Sequence, residues 1–243
     1  MEIPTFPYDP EYARASRKTK LVLSVDKCFR NALARQVDRI VTFSQYDTIF
    51  GRPTIRISNG IDFAHIPLKT NVNDTSNTVH LLGVADIHFW HGFDRVVAGL
   101  ADYYRRPHEK EVIFHIVGGG SRFTVPELRE QVREQGMEER VVLHGPLWGE
   151  ALDRAFEEAD LGIASLGRHR NGITHIKTLK NREYAARGIP FVYSENDSDF
   201  DAMPYVLKAP ADESPIDIDA LLHFLDGVDR DPAHIRASIE DTL

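Results

Sequence analysis

Apolar positions in the second two thirds of the chain follow two alternating rhythms. Continuous apolar runs at Val79–Val84, Val112–Val117, Val141–Leu143, Leu161–Ser165, Ile189–Tyr193 and Tyr205–Leu207 have the length of strands covered on both faces. Between them apolar residues return every three or four positions. Phe93, Val96, Val97, Leu100, Ala101 and Tyr104 form one helical stripe over Phe93–Tyr104. Leu128 and Val132 mark a second helix, and Leu152, Ala155, Phe156 and Ala159 a third. Ser214-Pro215 and Asp231-Pro232 each set a capping residue before a proline, predicting two last helices, the first carrying Ile218, Leu221, Leu222 and Leu225. Regular strand–helix alternation predicts an α/β fold, a doubly wound, Rossmann-like parallel sheet whose ligands sit beyond the carboxyl ends of the strands.

Residues 1–58 lack this alternation. Pro4, Pro7 and Pro10 keep the start extended, Phe29, Leu33, Val37 and Ile40 are spaced as in a helix, and Ile40–Phe43 and Thr54–Ile57 read as short strands. So few elements bury little surface alone, and the region is expected to pack on a further segment. Asn59-Gly60 is a turn signal and Pro67–Asn77 is polar and aperiodic, which predicts a hinge over 59–78 before a main domain at 79–243.

Charge and composition narrow the function. A net charge of −8, from 29 basic and 37 acidic residues, argues against a general nucleic-acid binder. The single cysteine, Cys28, excludes an internal disulfide and a cysteine-based zinc site, and the eleven histidines show no HExxH spacing, so no metal is predicted. No run reaches the roughly 20 apolar residues of a membrane span, and the N-terminus has no signal-peptide core. The expectation is a soluble, unexported protein.

Candidate chemistry gathers in the loops after the strands. In Ile173–Tyr193, Thr178 is a suitable N-cap, Leu179, Ala185 and Ala186 give an apolar face, and Gly188 is a helix stop. A helix start near Arg168, Arg170, Lys177 and Lys180 is an anion site, and Glu183, a turn further in, could accept hydrogen bonds from sugar hydroxyls. Gly83 and Gly92 after the first strand and Gly118, Gly119 and Gly120 after the second could bring backbone close to a ligand, His91 could donate to a phosphate, and Gly145–Leu147 after the third could offer backbone groups to a base. Blander alternatives stay open: turn glycines, solvated arginines, and a Glu183 that only pairs with Lys180 or Arg187 on the helix surface.

The order WHG, VGGG, LHGPL, a basic loop and TLKNREYAARGIPFV resembles the C-terminal, donor-binding domain of GT-B glycosyltransferases of the family-4 type, particularly those of bacterial capsule, exopolysaccharide and lipopolysaccharide assembly. The resemblance spans roughly residues 35 to 240, with IRISNGIDF as the lead-in to the domain, and PTFPYDPEY resembles a segment late in the first domain. It implies a nucleotide-diphosphate sugar as donor substrate, no other cofactor, a glycan or lipid-linked acceptor, retention of configuration, and a cytoplasmic location compatible with peripheral attachment to the inner face of the membrane. It also implies that Glu183 holds the ribose, Thr178 and Leu179 the diphosphate, Gly118 and Gly119 the sugar nucleotide, and Gly145 to Leu147 the base. The chain departs from the pattern at Ala85 and His91, where the family carries arginine and lysine, and at His175, where it carries the first glutamate of a pair. Arg168, Arg170 or Lys180 is expected to supply the missing charge. Most of a first domain, about 100 residues or more, is expected to be missing, with residues 1–58 its remnant and Glu240–Leu243 inside a helix. Two rival readings are a non-catalytic nucleotide-binding module and a sugar-nucleotide 2-epimerase of related fold.

Overall fold

The computed structural model describes residues 1–12 and 15–240, so the final residues of the expected last helix, 241–243, lie outside the described residues. The N-terminal lobe is a helix, α1 (Arg17–Ala34), on a three-stranded sheet of β1 (Ile40–Thr42), β2 (Thr48–Ile49) and β3 (Arg52–Arg56), where β1 runs parallel and β2 antiparallel to β3. Ala34, Ile40 and Ile49 form its small core. The predicted stripe Phe29, Leu33, Val37, Ile40 is not one helix. Arg52 donates to the carbonyls of Ala34 and Arg35 and closes α1 there, Ile40 opens β1, and Phe29 and Leu33 face solvent.

The larger lobe holds six parallel strands: β4 (Thr78–Val84), β5 (Glu111–Val117), β6 (Val141–Gly145), β7 (Leu161–Ile163), β8 (Phe191–Tyr193) and β9 (Val206–Lys208), in the order β6-β5-β4-β7-β8-β9. Each overlaps a predicted run. Helices α2 (Phe93–Tyr104), α3 (Thr124–Glu134), α4 (Glu150–Glu158), α5 (Leu179–Arg187), α6 (Ile218–Gly227) and α7 (Pro232–Glu240) connect or flank them. One core lies against α2, α3 and α6 (Leu81, Val96, Leu100, Phe114, Leu221), the other against α4, α5 and α7 (Leu82, Phe156, Tyr184, Phe191, Ile235). Burial on both faces explains the continuous apolar strands.

Helix α6 begins later than predicted. Asp217 caps it by accepting from the Ala220 amide, whereas Ser214 and Ile216 are tied to Arg95 of α2. Asp231 does cap α7 ahead of Pro232, as the sequence predicts. The segment read as a hinge runs along α4, α5 and α7: Asn59 bonds to Lys177 and Arg182, Lys69 to Glu157 and Arg187, and Arg236 to the carbonyls of Phe63 and Ile66. Among the described residues no helix is long and apolar enough to cross a membrane.

Candidate functional site

Strand order reverses direction between β4 and β7, and at such a switch the loops leaving the two strands part to open a crevice. Here the floor is closed by backbone. The Leu166 and Gly167 amides donate to the carbonyls of His91 and Trp90, and Gly92, in the left-handed region at φ 67°, lies so close that a Cβ would meet Leu166 at 2.7 Å. His91 is thereby fixed in the crevice, 5% exposed. Its Nδ1 accepts from the His88 amide at 3.0 Å, which leaves Nε2–H as the donor. Burial, then Lys180 and Arg168, hold its pKa well below the usual histidine value, so it is a neutral donor.

Arg168, on the short turn after β7, lies over the Trp90 ring and 3.7 Å from Glu11 of the N-terminal lobe; its buried Nε has no partner among the described residues. Burial draws its pKa down, with Glu195 and Glu11 opposing. Thr178 caps α5 through the Asn181 amide, and among the described residues the amides of Leu179 and Lys180 donate to nothing. Lys180 makes no ion pair or hydrogen bond with the described residues. It keeps some solvent-accessible surface, but protein atoms crowd its ammonium, and burial, reinforced by Arg168, lowers its pKa to about 7. Unpaired amides, two cations and a neutral imidazole donor thus converge on one crevice.

The other expected residues divide. Glu183 is half-buried; one oxygen accepts from Arg187 at 3.1 Å, Arg187 also binds Asp153 of α4, and the second oxygen has no partner among the described residues. The helix-surface pair and a ligand contact are therefore compatible. Leu179 is 58% exposed. His175 is exposed, bonded to Thr174 and Asn196. Gly145 has open space around it at φ 72°, and Leu147 packs on the core beside α4.

Three expectations need correction. Arg170 is not a free anion clamp: its guanidinium donates to the Phe89 carbonyl and to both carboxylates of Asp94 and Glu213, which uses every N–H it has. Lys177 is likewise committed, to Asp199 at 2.6 Å. The glycines serve the chain's own packing more than a ligand. A Cβ at Gly83 would strike Phe93 at 2.8 Å, and one at Gly118 (φ 131°) the Ala85 carbonyl oxygen at 1.7 Å; Gly119 has room, with Pro146 at 3.7 Å, as does Gly145.

Two residues in this region escaped the sequence reading. Trp148, directly after the Gly145–Leu147 loop, leaves 72% of its surface in solvent. Glu195, after β8, is 2% exposed; burial pushes its carboxyl up to about 7, against the opposing pull of Arg168. Four acids in Glu195–Asp201 beyond a strand end were the available signal.

No protein-family model matches the sequence, and no curated protein matches it either. Solved structures do. The fold is that of GT-B glycosyltransferase C-terminal domains. The C-terminal domain of a group 1 glycosyl transferase from Francisella tularensis superposes with a TM-score of 0.52 at 12% identity, covering 75% of this chain and 98% of that one. Sucrose-phosphate synthase from Thermosynechococcus elongatus gives 0.64 at 20%, covering 98% and 60%; an Anabaena protein solved with UDP-glucose gives 0.62 at 18%, covering 88% and 64%. The chain thus spans less than two thirds of the length of those last two proteins. At such identities the likeness carries the fold, and function rests on the site.

Proposed function

We propose that the chain is the donor-binding part of a glycosyltransferase that takes a sugar from a nucleotide-diphosphate sugar and passes it to a glycan or lipid-linked acceptor in cell-surface polysaccharide assembly. One observation carries this reading: the amides of Leu179 and Lys180, without partners among the described residues, start the helix whose Lys180 lies near His91 and near Arg168, a cation whose Nε has no partner among those residues. Amides at a helix start and nearby cations are what a pyrophosphate needs. The positive charge absent at Ala85 and His91 would come from these two residues, and His91 would add a neutral hydrogen bond.

During transfer the acceptor oxygen bonds to the anomeric carbon while the bond from that carbon to the phosphate oxygen breaks, the electron pair stays on the departing diphosphate, and the acceptor's hydroxyl proton passes to a phosphate oxygen of that leaving group. Groups fixed around the phosphates stabilise the charge that accumulates there. The base would lie against Gly145–Leu147 and the ribose near the free oxygen of Glu183. The Anabaena protein of this fold, solved with UDP-glucose, supports a donor of this class.

Calorimetric titration with UDP, GDP and ADP tests the reading. One of them should bind, Lys180→Met should weaken it about tenfold or more, as loss of a charge-assisted contact does, and Glu183→Ala should weaken it less. Failure of all three to bind would remove the donor site.

A further inference from the structure

The acids that follow β8 differ in one respect. Asp197 accepts from Asn181 and Arg182, Asp199 from Lys177 and Arg182, and Asp201 from Tyr193 and Lys208. Glu195 is buried as deeply as Asp197, yet neither of its oxygens accepts a hydrogen bond from another described residue. A buried carboxylate without donors is unfavourable unless function supplies them. The charged groups bearing on it are Arg168 after β7, Lys180 on α5 and Lys208 on β9, and Lys208 is already bonded to Asp201 and to the Glu195 carbonyl. Glu195 therefore borders the proposed pyrophosphate site without being neutralised in it.

Position along the sheet selects the missing donors. The Gly145–Leu147 loop follows β6, the crevice lies at the β4/β7 switch, and Glu195 follows β8 on the far side. With neighbouring strands about 4.8 Å apart, β6 and β8 are about 19 Å apart. A nucleotide sugar with its base at β6 and its phosphates at the switch extends its sugar toward β8. Hydroxyls are the donors it brings. The Ile176 amide donates to the Asn196 carbonyl and the Asn196 amide to that of Thr174, which locks the residue after Glu195 to the loop of His175, the position where the resemblance implies an acid.

We propose that Glu195 recognises the transferred sugar by accepting hydrogen bonds from its hydroxyls. This rests on the donor-site reading above, and the test separates the two. UDP, GDP and ADP, and then their hexose conjugates, are titrated into wild type and Glu195→Gln, with thermal melting as the check on folding. The parent diphosphate should bind the variant within about threefold of wild type or more tightly, since a negative charge near the phosphates is removed. The conjugate should lose roughly tenfold or more relative to its parent, the effect of a charge-assisted hydrogen bond. Glu195→Asp, which keeps the charge but withdraws it by one methylene, should show the same selective loss and carries the comparison if the glutamine variant does not fold. Equal changes for parent and conjugate, or an unchanged ratio, would overturn the inference. Wild type that binds none of the parents would overturn the donor-site reading, and this inference with it.

Discussion

Enclosure at the crevice brings Lys180 down to about 7 and Glu195 up to about 7, so both change charge across the neutral range. Below that range the lysine is charged and the carboxyl neutral; above it the reverse holds, and the site turns more negative as pH rises. Affinity for a nucleotide diphosphate should therefore fall between about pH 6 and about pH 8.5 in a series of titrations, and Lys180→Met should flatten the slope. A wild-type affinity that rises with pH would contradict this assignment of charges. Arg170 has a different role. Arg170→Ala should leave nucleotide affinity unchanged and lower stability by about 1–3 kcal/mol in chemical denaturation, because Asp94 and the Phe89 carbonyl lose this donor and Glu213 keeps only His169. Arg170, and after it His169, hold the Glu213 carboxyl down to about 2. That contribution is present in full above about pH 4.3, the unfolded value, and fades as pH falls toward 2; the exposure of Glu213 keeps it small. Sequence shows which residues carry charge but not which are already paired. Arg168 and Arg170 are alike on paper, yet in three dimensions Asp94, Glu213 and the Phe89 carbonyl take every N–H of Arg170, whereas Arg168 has only a 3.7 Å approach to Glu11 and an Nε with no partner among the described residues.

Helix α5 was the most legible element. Its Thr178 cap and Gly188 stop are where the sequence puts them, because local side-chain and backbone geometry set both ends. What the sequence did not disclose is how the helix is anchored. Arg182, fully buried, meets Asp197 at 3.1 Å and also reaches Asp199, Ser58 and the carbonyls of Asn59 and Thr178. The contacts to Ser58 and Asn59 join residues more than a hundred positions apart, beyond the reach of periodicity. Arg182→Met would leave Asp197 buried without its cation and should cost about 3–5 kcal/mol in denaturant unfolding. Gly188→Ala should also destabilise, since φ is 76° and the new Cβ would meet Pro232 of α7 at 2.4 Å. A melting temperature unchanged in that variant would contradict the packing of α7 on α5. The late start of α6 has a similar origin: Arg95 captures Ser214 and Ile216, and a proline cue alone could not reveal that tertiary bond.

At the scale of the molecule, the six-stranded lobe follows from alternation of apolar runs and amphipathic stripes, whereas the N-terminal lobe leaves Leu21, Val22, Val25, Phe29 and Leu33 of α1 in solvent. Val25→Glu and Phe29→Glu should each change stability by less than about 0.5 kcal/mol, while Ala34→Glu, at a fully buried site, should unfold the small lobe; equal losses would place the stripe in a core. The two lobes meet where Glu11 approaches Arg168, which puts the proposed anion site at their junction. The most direct test of the central claim follows the backbone amide resonances of Leu179 and Lys180 while the nucleoside diphosphate that binds is titrated in. Both amide protons should move strongly downfield as they take up phosphate oxygens. Saturation that shifts other residues and leaves these two amides in place would show that the pyrophosphate lies elsewhere.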